Sequence, residues 1–411
     1  MPLITFPALP EWATTLAGIL PLATLIEFVD VDTRLHVYEL RGGAVPYWNW
    51  PVTPSGARCL LLNDDTARDC LLDQPQRSIR LTCVDGREQN QYPCSAPTTT
   101  RLWAATQEVL PTDEIENKHP NMMHPDAREQ VLRFWISVQE SVRNQRALGP
   151  RYLTVATVGW LFWLALVTIG LGGGLYIAGA YLLLMPLTGF VVGLVHGTKA
   201  RAPLTRATKP YPRLIIAPGS ENPHFWFAFL GLSTVLNGLL NISLTRTQRL
   251  PYRKLCIYPL RLLILSQWAL ALGSSATEGW DAYFIATWTT FCIVMSAYGY
   301  PADLAARDWL ERDCNIRLRT IRTKLSGRWP MLIALGVVNP DKQKGKTSWM
   351  DPFVKPDKVR QDIWEAAIDH YYDENEEQIY TLHKDKWWTR LVVEGVMIGK
   401  EVERKMADET S

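Results

Sequence analysis

From Leu153 to His196 the chain runs for 44 residues without a lysine, arginine, aspartate or glutamate. A helix needs about 20 apolar residues to cross the hydrocarbon layer of a bilayer, and every backbone polar group must be paired within it. The run is therefore long enough for two passes, turning at the glycine-rich point Gly170 to Gly174, with helices expected at about 153–171 and 175–196. A second pair is legible at Leu262 to Ala276 and Ala282 to Tyr300, separated by Thr277-Glu278-Gly279-Trp280-Asp281. Extending its first arm back through Cys256 to Leu260 gives helices at about 257–276 and 282–300, with Arg261 snorkelling toward the headgroups.

Charge orients these two hairpins. Arg143, Arg146 and Arg151 precede the first; Lys199, Arg201, Arg206, Lys209 and Arg213 follow it; Arg246, Arg249, Arg253, Lys254 and Arg261 precede the second; and Arg307, Arg312, Arg317, Arg319, Arg322 and Lys324 follow that. Neither tip carries a cation. Because cytoplasmic connections retain the excess of Lys and Arg, both tips are expected to point away from the cytosol and the flanks, including the C-terminus, to lie in it. Phe225 to Leu244 is apolar and long enough to span, yet a crossing there would put one basic connection on the wrong side. It is read as a re-entrant or interfacial helix, which also spares Asn237 and Asn241 from lipid and leaves the sequon Asn241-Ile242-Ser243 unglycosylated. Residues 1–29 form a possible further membrane segment, since Trp12 to Ile26 is uncharged but short and interrupted by Pro21. A crossing there would leave the N-terminus on the tip side.

The fold expected is thus an α-helical integral membrane bundle, residues 151–300, between a small α+β cytosolic region, 30–150, and a helical cytosolic region, 301–411. In the first region Leu35 to Leu40 and Ser78 to Val84 read as strands, the latter running into the turn pair Asp85-Gly86. Thr100 to Leu110 and Asp126 to Leu148 read as helices. The cluster Pro46-Tyr47-Trp48-Asn49-Trp50-Pro51 suits a small irregular core or a binding surface. Cys59, Cys70, Cys83 and Cys94 lack the close pairs of a zinc ribbon, and in a reducing compartment they are free thiols. In the C-terminal region Leu318, Ile321 and Leu325 share a helical face beside Arg317, Arg319, Arg322, Lys324 and Arg328, which suits a helix on an anionic leaflet. Helices are also expected at Asp357 to Tyr372 and Lys386 to Lys405.

Chemical motifs are scarce. Gly345-Lys346-Thr347 follows an apolar run, but the first glycine of a phosphate-binding loop would fall at Pro340, which has no N–H. His119 and His124 with Asp113, Glu114 and Glu116 match no metal-site spacing, so neither a metal nor a cofactor is expected. Gly189, Gly193 and Gly197 recur every four residues and make a smooth ridge for close helix packing, within the bundle or in self-association. The strings GWLFWLALVTIGLGGGLYIAGAYLLLMPLTGFVVGLVHG, YPRLIIA and QWALALGSSATEGWDAY resemble multi-pass membrane proteins of filamentous fungi. The resemblance covers about Gly149 to Trp309; it implies the membrane architecture and a eukaryotic setting, and brings no catalytic or binding residue with it.

Three function classes fit. A membrane-anchored organising or interaction protein accounts for the large soluble flanks, with membrane lipids and protein partners but no nucleic acid. A transporter or channel component would need a water-accessible path around Gln267, Asn237 and Asn241. An enzyme acting on a lipid-soluble substrate would need a pocket joining Glu221, Asn222 and His224 to His196.

Overall fold

The computed structural model describes residues 3–23, 31–41, 45–61, 81–87, 90–94, 112–115, 129–139, 150–200, 209–219, 224–241, 252–299, 301–340, 348–354, 365 and 387–407. The chain divides into two compact units, each discontinuous in sequence: residues 1–75, 142–202 and 244–314 form a helical unit, and residues 76–141, 203–243 and 315–411 form a unit built on a sheet. This division runs across the consecutive segments read from the sequence. The expected helix at Thr100 to Leu110, the histidine loop at 119–124 and the Gly345-Lys346-Thr347 stretch lie outside the described residues, as does Asp357 to Tyr372 apart from Glu365.

The helical unit comprises α1 (Glu11–Ala23), α2 (Val31–Arg41), α3 (Pro54–Leu61), α4 (Pro150–Gly172), α5 (Tyr176–His196), α7 (Arg253–Thr277), α8 (Trp280–Val294, continued by a wider π-turn at Met295–Gly299) and α9 (Ala302–Arg312); α6 belongs to the other unit. Segments of α4, α5, α7 and of α8 with its π-turn are each long and apolar enough to cross a membrane. Their bounds agree with the two expected hairpins, and Arg253–Thr277 includes the Cys256 to Leu260 extension. Half of the apolar window of α5 is buried, against 17% for α4, so α5 is the central helix and α4 a peripheral one. Leu153, Leu161 and Leu164 on α4, Leu183, Leu187 and Phe190 on α5, and Leu255, Leu262 and Leu265 on α7 are exposed. Water-soluble proteins rarely display apolar faces of this extent. Four such helices together with a sheet-containing region fit a helical membrane protein.

The N-terminal segment binds the hairpin tips. Leu3 N and Ile4 N donate to Gly172 O, Trp280 Nε1 donates to Pro7 O, Tyr283 OH to Ala13 O, and Ser275 Oγ to Gly18 O. Asp281 joins the two tips by accepting from Ala178 N at 2.7 Å. Helix α1 turns Ala13, Ala17 and Pro21 inward and exposes Trp12, Leu16, Ile19 and Leu22. Its 13 residues reach only about 20 Å, short of a bilayer core of about 30 Å. By contrast α2 meets the opposite ends of the helices, where Arg34 bonds Ser296 and Glu39 faces His196. Ser296 lies about 22 Å along the helix from Asp281. Gly18 is thus bonded at the tip end and Arg34 at the flank end. Leu35 to Leu40, expected as a strand, is part of α2; Val31, Leu35 and Tyr38 line up at helical spacing and are buried, and a six-residue run is too short for alternation to tell the two periods apart.

The second unit is a seven-stranded mixed sheet in the order β2-β1-β5-β6-β4-β7-β3, formed by β1 (Thr82–Asp85), β2 (Gln91–Pro93), β3 (Thr112–Ile115), β4 (Gln130–Gln139), β5 (Pro212–Pro218), β6 (Phe225–Leu232) and β7 (Ile316–Leu325). It also contains α6 (Ser233–Leu240), α10 (Arg328–Val338) and α11 (Trp387–Ala407). Leu132, Phe134 and Ile136 of β4, Trp226, Ala228 and Leu230 of β6, Leu214 and Ile216 of β5, and Ile321 and Leu325 of β7 share a core with Met331, Leu332 and Leu335 of α10 and Ile398 and Val402 of α11. Trp135, Phe227 and Phe229 form an aromatic cluster on the neighbouring strands β4 and β6.

Three expectations are corrected here. The sequence predicts a helix over Asp126 to Leu148, but Gln130–Gln139 is the inner strand β4, parallel to β6 and antiparallel to β7. Phe225 to Leu244 is expected as a re-entrant or interfacial helix, but its described part is β6, Phe225–Leu232, followed by the two-turn helix α6, Ser233–Leu240. The basic segment Cys314 to Arg328 is not a surface helix, since Ile316–Leu325 pairs with β4 over ten residues from Gln130↔Leu325 to Gln139↔Ile316. Over ten residues β4 and β7 satisfy helical and strand spacing alike, whereas the continuous apolar run of β6 reflects burial within the sheet. The strand and turn at Asp85-Gly86 and the helix at Lys386 to Lys405 are present as β1 with its turn and as α11.

Helices α10 and α11 approach closely because two glycines face the neighbour. A Cβ on Gly395 would stand 2.6 Å from Pro330 O, and one on Gly399 2.7 Å from Val337 Cβ, whereas Gly273 has nothing within 4 Å. Gly395→Ala and Gly399→Ala are expected to destabilise the protein by about 1–3 kcal/mol through overpacking. Their thermal unfolding midpoints in detergent should fall below that of Gly273→Ala; equal midpoints for all three would contradict this packing.

Candidate functional site

The polar side chains inside the helical unit converge on one irregular segment, residues 45–53. The segment cannot be helical at Pro46 and Pro51, so its backbone groups need partners from elsewhere. Gln267, in the middle of α7 and 1% exposed, supplies them. Its Oε1 accepts from Val52 N at 3.1 Å, and its Nε2 donates to Trp50 O at 3.3 Å and to Thr188 Oγ1 of α5 at 2.8 Å. Trp268 Nε1 donates to Val52 O at 2.8 Å, and Trp48 Nε1 donates to Ala156 O of α4 at 3.2 Å. Trp48 and Trp50 are fully buried, Trp48 against Trp288 and Phe291 of α8 and Trp50 against Tyr38 of α2. The aromatic cluster thus fills the core of the helical unit.

At the flank end, the buried Arg34 donates to Ser296 Oγ through Nε and Nη2, at 3.2 and 3.0 Å, and to Pro51 O through Nη1 at 3.4 Å. Asn49 Nδ2 donates to the same Ser296 hydroxyl, which itself donates to Cys292 O. Ser296 lies in the π-turn, a local widening that often marks working parts of helices. Glu39 and His196 are both buried, with Oε1 and Nδ1 3.6 Å apart, and His196 Nε2 stands 3.2 Å from Leu60 O. Sequence reasoning singled out Gln267 but missed Arg34, Glu39, Asn49 and Ser296. The available signal was a pair of charges on an otherwise apolar face of Val31–Arg41.

The glycine ridge receives chain other than a neighbouring membrane helix. A Cβ on Gly189 would meet Tyr47 O at 2.2 Å and Trp50 Cδ1 at 2.5 Å, while one on Gly193 would meet Tyr38 OH at 3.0 Å. Gly197 is the C-cap of α5, with φ 87°, a conformation that favours glycine. Of the five basic residues read as a membrane-facing set, Arg319 binds Asp113, Arg322 reaches Glu114 at 3.4 Å, Lys324 lies 3.8 Å from Glu129, and Arg328 stacks over Trp226. Arg317 is exposed.

The sheet unit holds a second polar cluster, where Asn237 and Asn241 are found. Arg213 of β5 donates to Asp85 Oδ2 at 2.6 Å and to Asn237 Oδ1 of α6 at 2.8 Å; Asn241 Nδ2 donates to Asn237 Oδ1 at 3.0 Å. Burial opposes the charge on Arg213, but the bond and charge of Asp85 outweigh it and hold the guanidinium more firmly protonated. Burial pushes the Tyr92 hydroxyl up to about 12, partly offset by the nearby Arg213 guanidinium. Cys83 and Cys94 lie beside this cluster, both as free thiols; Cys59 is also free, and Cys70 lies outside the described residues. His224 Nδ1 pairs with Gln130 Nε2 at 2.8 Å, and Gln130 Oε1 accepts from Trp226 Nε1 at 3.0 Å, so this histidine is tied to the sheet. Glu221 and Asn222 lie outside the described residues, and among those described no three metal-ligating side chains come together.

Gln267→Leu removes both bonds to the irregular segment, and the one to Thr188, and leaves Trp50 O and Val52 N buried without that partner. Its expected cost is about 1–3 kcal/mol per unsatisfied group. Hydrogen exchange of residues 46–53 should accelerate in that variant, and unchanged protection there would show that the amide is not the clamp. No family model, curated protein or solved structure matches this chain.

Proposed function

We propose that this chain is a membrane-anchored organising or interaction protein, whose helical unit is the membrane anchor. The observation that supports this reading is the use made of intramembrane polarity. Gln267, Thr188, Arg34, Asn49 and Ser296 are spent on holding the chain's own segment 49–52, and Asn237 and Asn241 are spent within the sheet unit. A transporter component is the second reading; it draws on Tyr38 OH, Asn49 Oδ1 and Trp50 Nε1, buried polar atoms with no hydrogen-bond partner among the described residues.

The topology proposed puts the flanks, the sheet unit and the C-terminus in the cytosol and the tips with residues 3–18 on the far side. Its support is charge and connectivity. The tips carry Glu278 and Asp281 but no cation, while the cations gather at the flanks. The chain passes between its two units at 75–76, 141–142, 202–203, 243–244 and 314–315, never at a tip. Tip contacts at Leu3 to Gly18 and flank contacts at Arg34 to Glu39 favour one further passage by the N-terminal segment. The anionic lipids of the cytosolic leaflet, through these basic flanks, and protein partners of the sheet unit complete the proposal.

Membrane-impermeant thiol labelling of single cysteines introduced at Thr5, Arg206 and Arg249 of the full chain tests the topology. Positions 206 and 249 are expected to react from the cytosolic side and position 5 from the opposite side. Reaction of 206 and 249 from opposite sides would overturn it. Proximity labelling from the C-terminus tests the organising role, which requires a reproducible set of cytosolic proteins.

A further inference from the structure

The edge hairpin β1–β2 brings two cysteines to one face. Its register pairs Cys83 with Tyr92, and Cys94 N donates to Leu81 O at 2.8 Å, so Cys94 stands diagonally across from Cys83 on the same side of the sheet. Diagonal neighbours are within side-chain reach, and β2 is a three-residue edge strand that can shift by the small amount a disulfide requires. We propose that Cys83 and Cys94 are a peroxide-responsive thiol pair that forms a reversible disulfide and thereby loosens the end of α6.

The two thiols differ in access. Cys94 is half-exposed and accessible to a small oxidant, whereas Cys83 is buried. The neighbouring Cys94 thiol and burial both keep Cys83 protonated, with Arg213 opposing them. Cys94 as thiolate attacks one oxygen of hydrogen peroxide, breaking the O–O bond and giving a sulfenic acid and, after protonation, water. The Cys83 sulfur then attacks the Cys94 sulfur, the S–S bond forms, and the sulfenic hydroxyl leaves with the Cys83 proton as a second water. Two thiols and one peroxide become one disulfide and two waters, and a dithiol reductant restores the pair.

The structural consequence follows from what Cys94 now holds. Its Sγ donates to Leu240 O at 3.0 Å, at the C-terminus of α6, where the last carbonyls lack helical partners. A disulfide sulfur has no proton to donate. Oxidation therefore releases the end of the helix whose Asn237 is tied to the Arg213–Asp85 pair.

The test uses the full chain in native membranes, with free thiols trapped by N-ethylmaleimide before and after hydrogen peroxide and peptides mapped by mass spectrometry. Before peroxide both thiols should be alkylated. After it a Cys83–Cys94 disulfide should appear, vanish on dithiol reduction, and be accompanied by faster hydrogen exchange over residues 233–241. Cys83→Ser should stop the reaction at a Cys94 sulfenic acid that dimedone captures. A pair that stays alkylatable at peroxide levels that oxidise Cys59 or Cys256, or a Cys94 that pairs with a different cysteine, would overturn the proposal. So would a pair already oxidised in untreated membranes, which would also place the sheet unit in an oxidising compartment; failure of the organising role alone would leave the thiol chemistry untouched.

Discussion

A non-helical segment buried among apolar helices must find a partner for every backbone polar group, and the helical unit of this protein is arranged around that requirement. Residues 45–53 carry two prolines and two fully buried tryptophans, so they can neither join a helix nor be expelled into solvent. One amide, Gln267, meets the N–H of Val52 and the C=O of Trp50 and is itself anchored by Thr188. Arg34 and Asn49 complete the arrangement at Ser296. Without the glycines at 159 and 189 the segment could not approach at all, since a Cβ at either position would overlap Trp48 or Tyr47. The helices that look alike in composition are thereby distinguished: α5 and α7 grip the segment, and much of α4 stays exposed.

In the sheet unit a buried ion pair joins distant segments. Arg213 and Asp85 lie 2.6 Å apart with little exposure, and the guanidinium also holds Asn237. Breaking a buried pair of this kind costs about 3–5 kcal/mol, because the remaining charge has no compensation. The same pair sits between the edge hairpin and α6, so the hairpin's cysteines and the helix end are linked through it.

Which parts of this were legible in the sequence depended on how much chain carried the signal. The 44-residue uncharged run admits few alternatives, and the four apolar helices appear close to where it and its partner placed them. Shorter segments did not separate. QVLRFWISVQ and IRLRTIRTKL satisfy helical and strand spacing alike, and only their ten-residue pairing with each other decides for strands. Phe225 to Leu244 misled for the opposite reason: its uniform apolarity reflects a strand buried in mid-sheet, not contact with lipid. The candidate sites were less legible still. Gln267 stood out as an amide in an apolar helix, but its partners Val52 and Trp50 lie more than two hundred residues away in the chain, and the charges on the apolar face of Val31–Arg41 do not name Ser296 as the partner of Arg34.

By itself, then, the sequence determined the position of the two long apolar hairpins and the uneven distribution of charge about them, because bilayer thickness and the cost of burying charge act on contiguous residues. Tertiary structure alone decided that residues 1–75 belong with those helices, that the apolar strand β6 lies in a sheet, and that Asp85, Arg213 and Asn237 meet. Those outcomes rest on strand pairing and on the satisfaction of buried polar groups between distant segments, and such partnerships leave no mark in the residues that flank them.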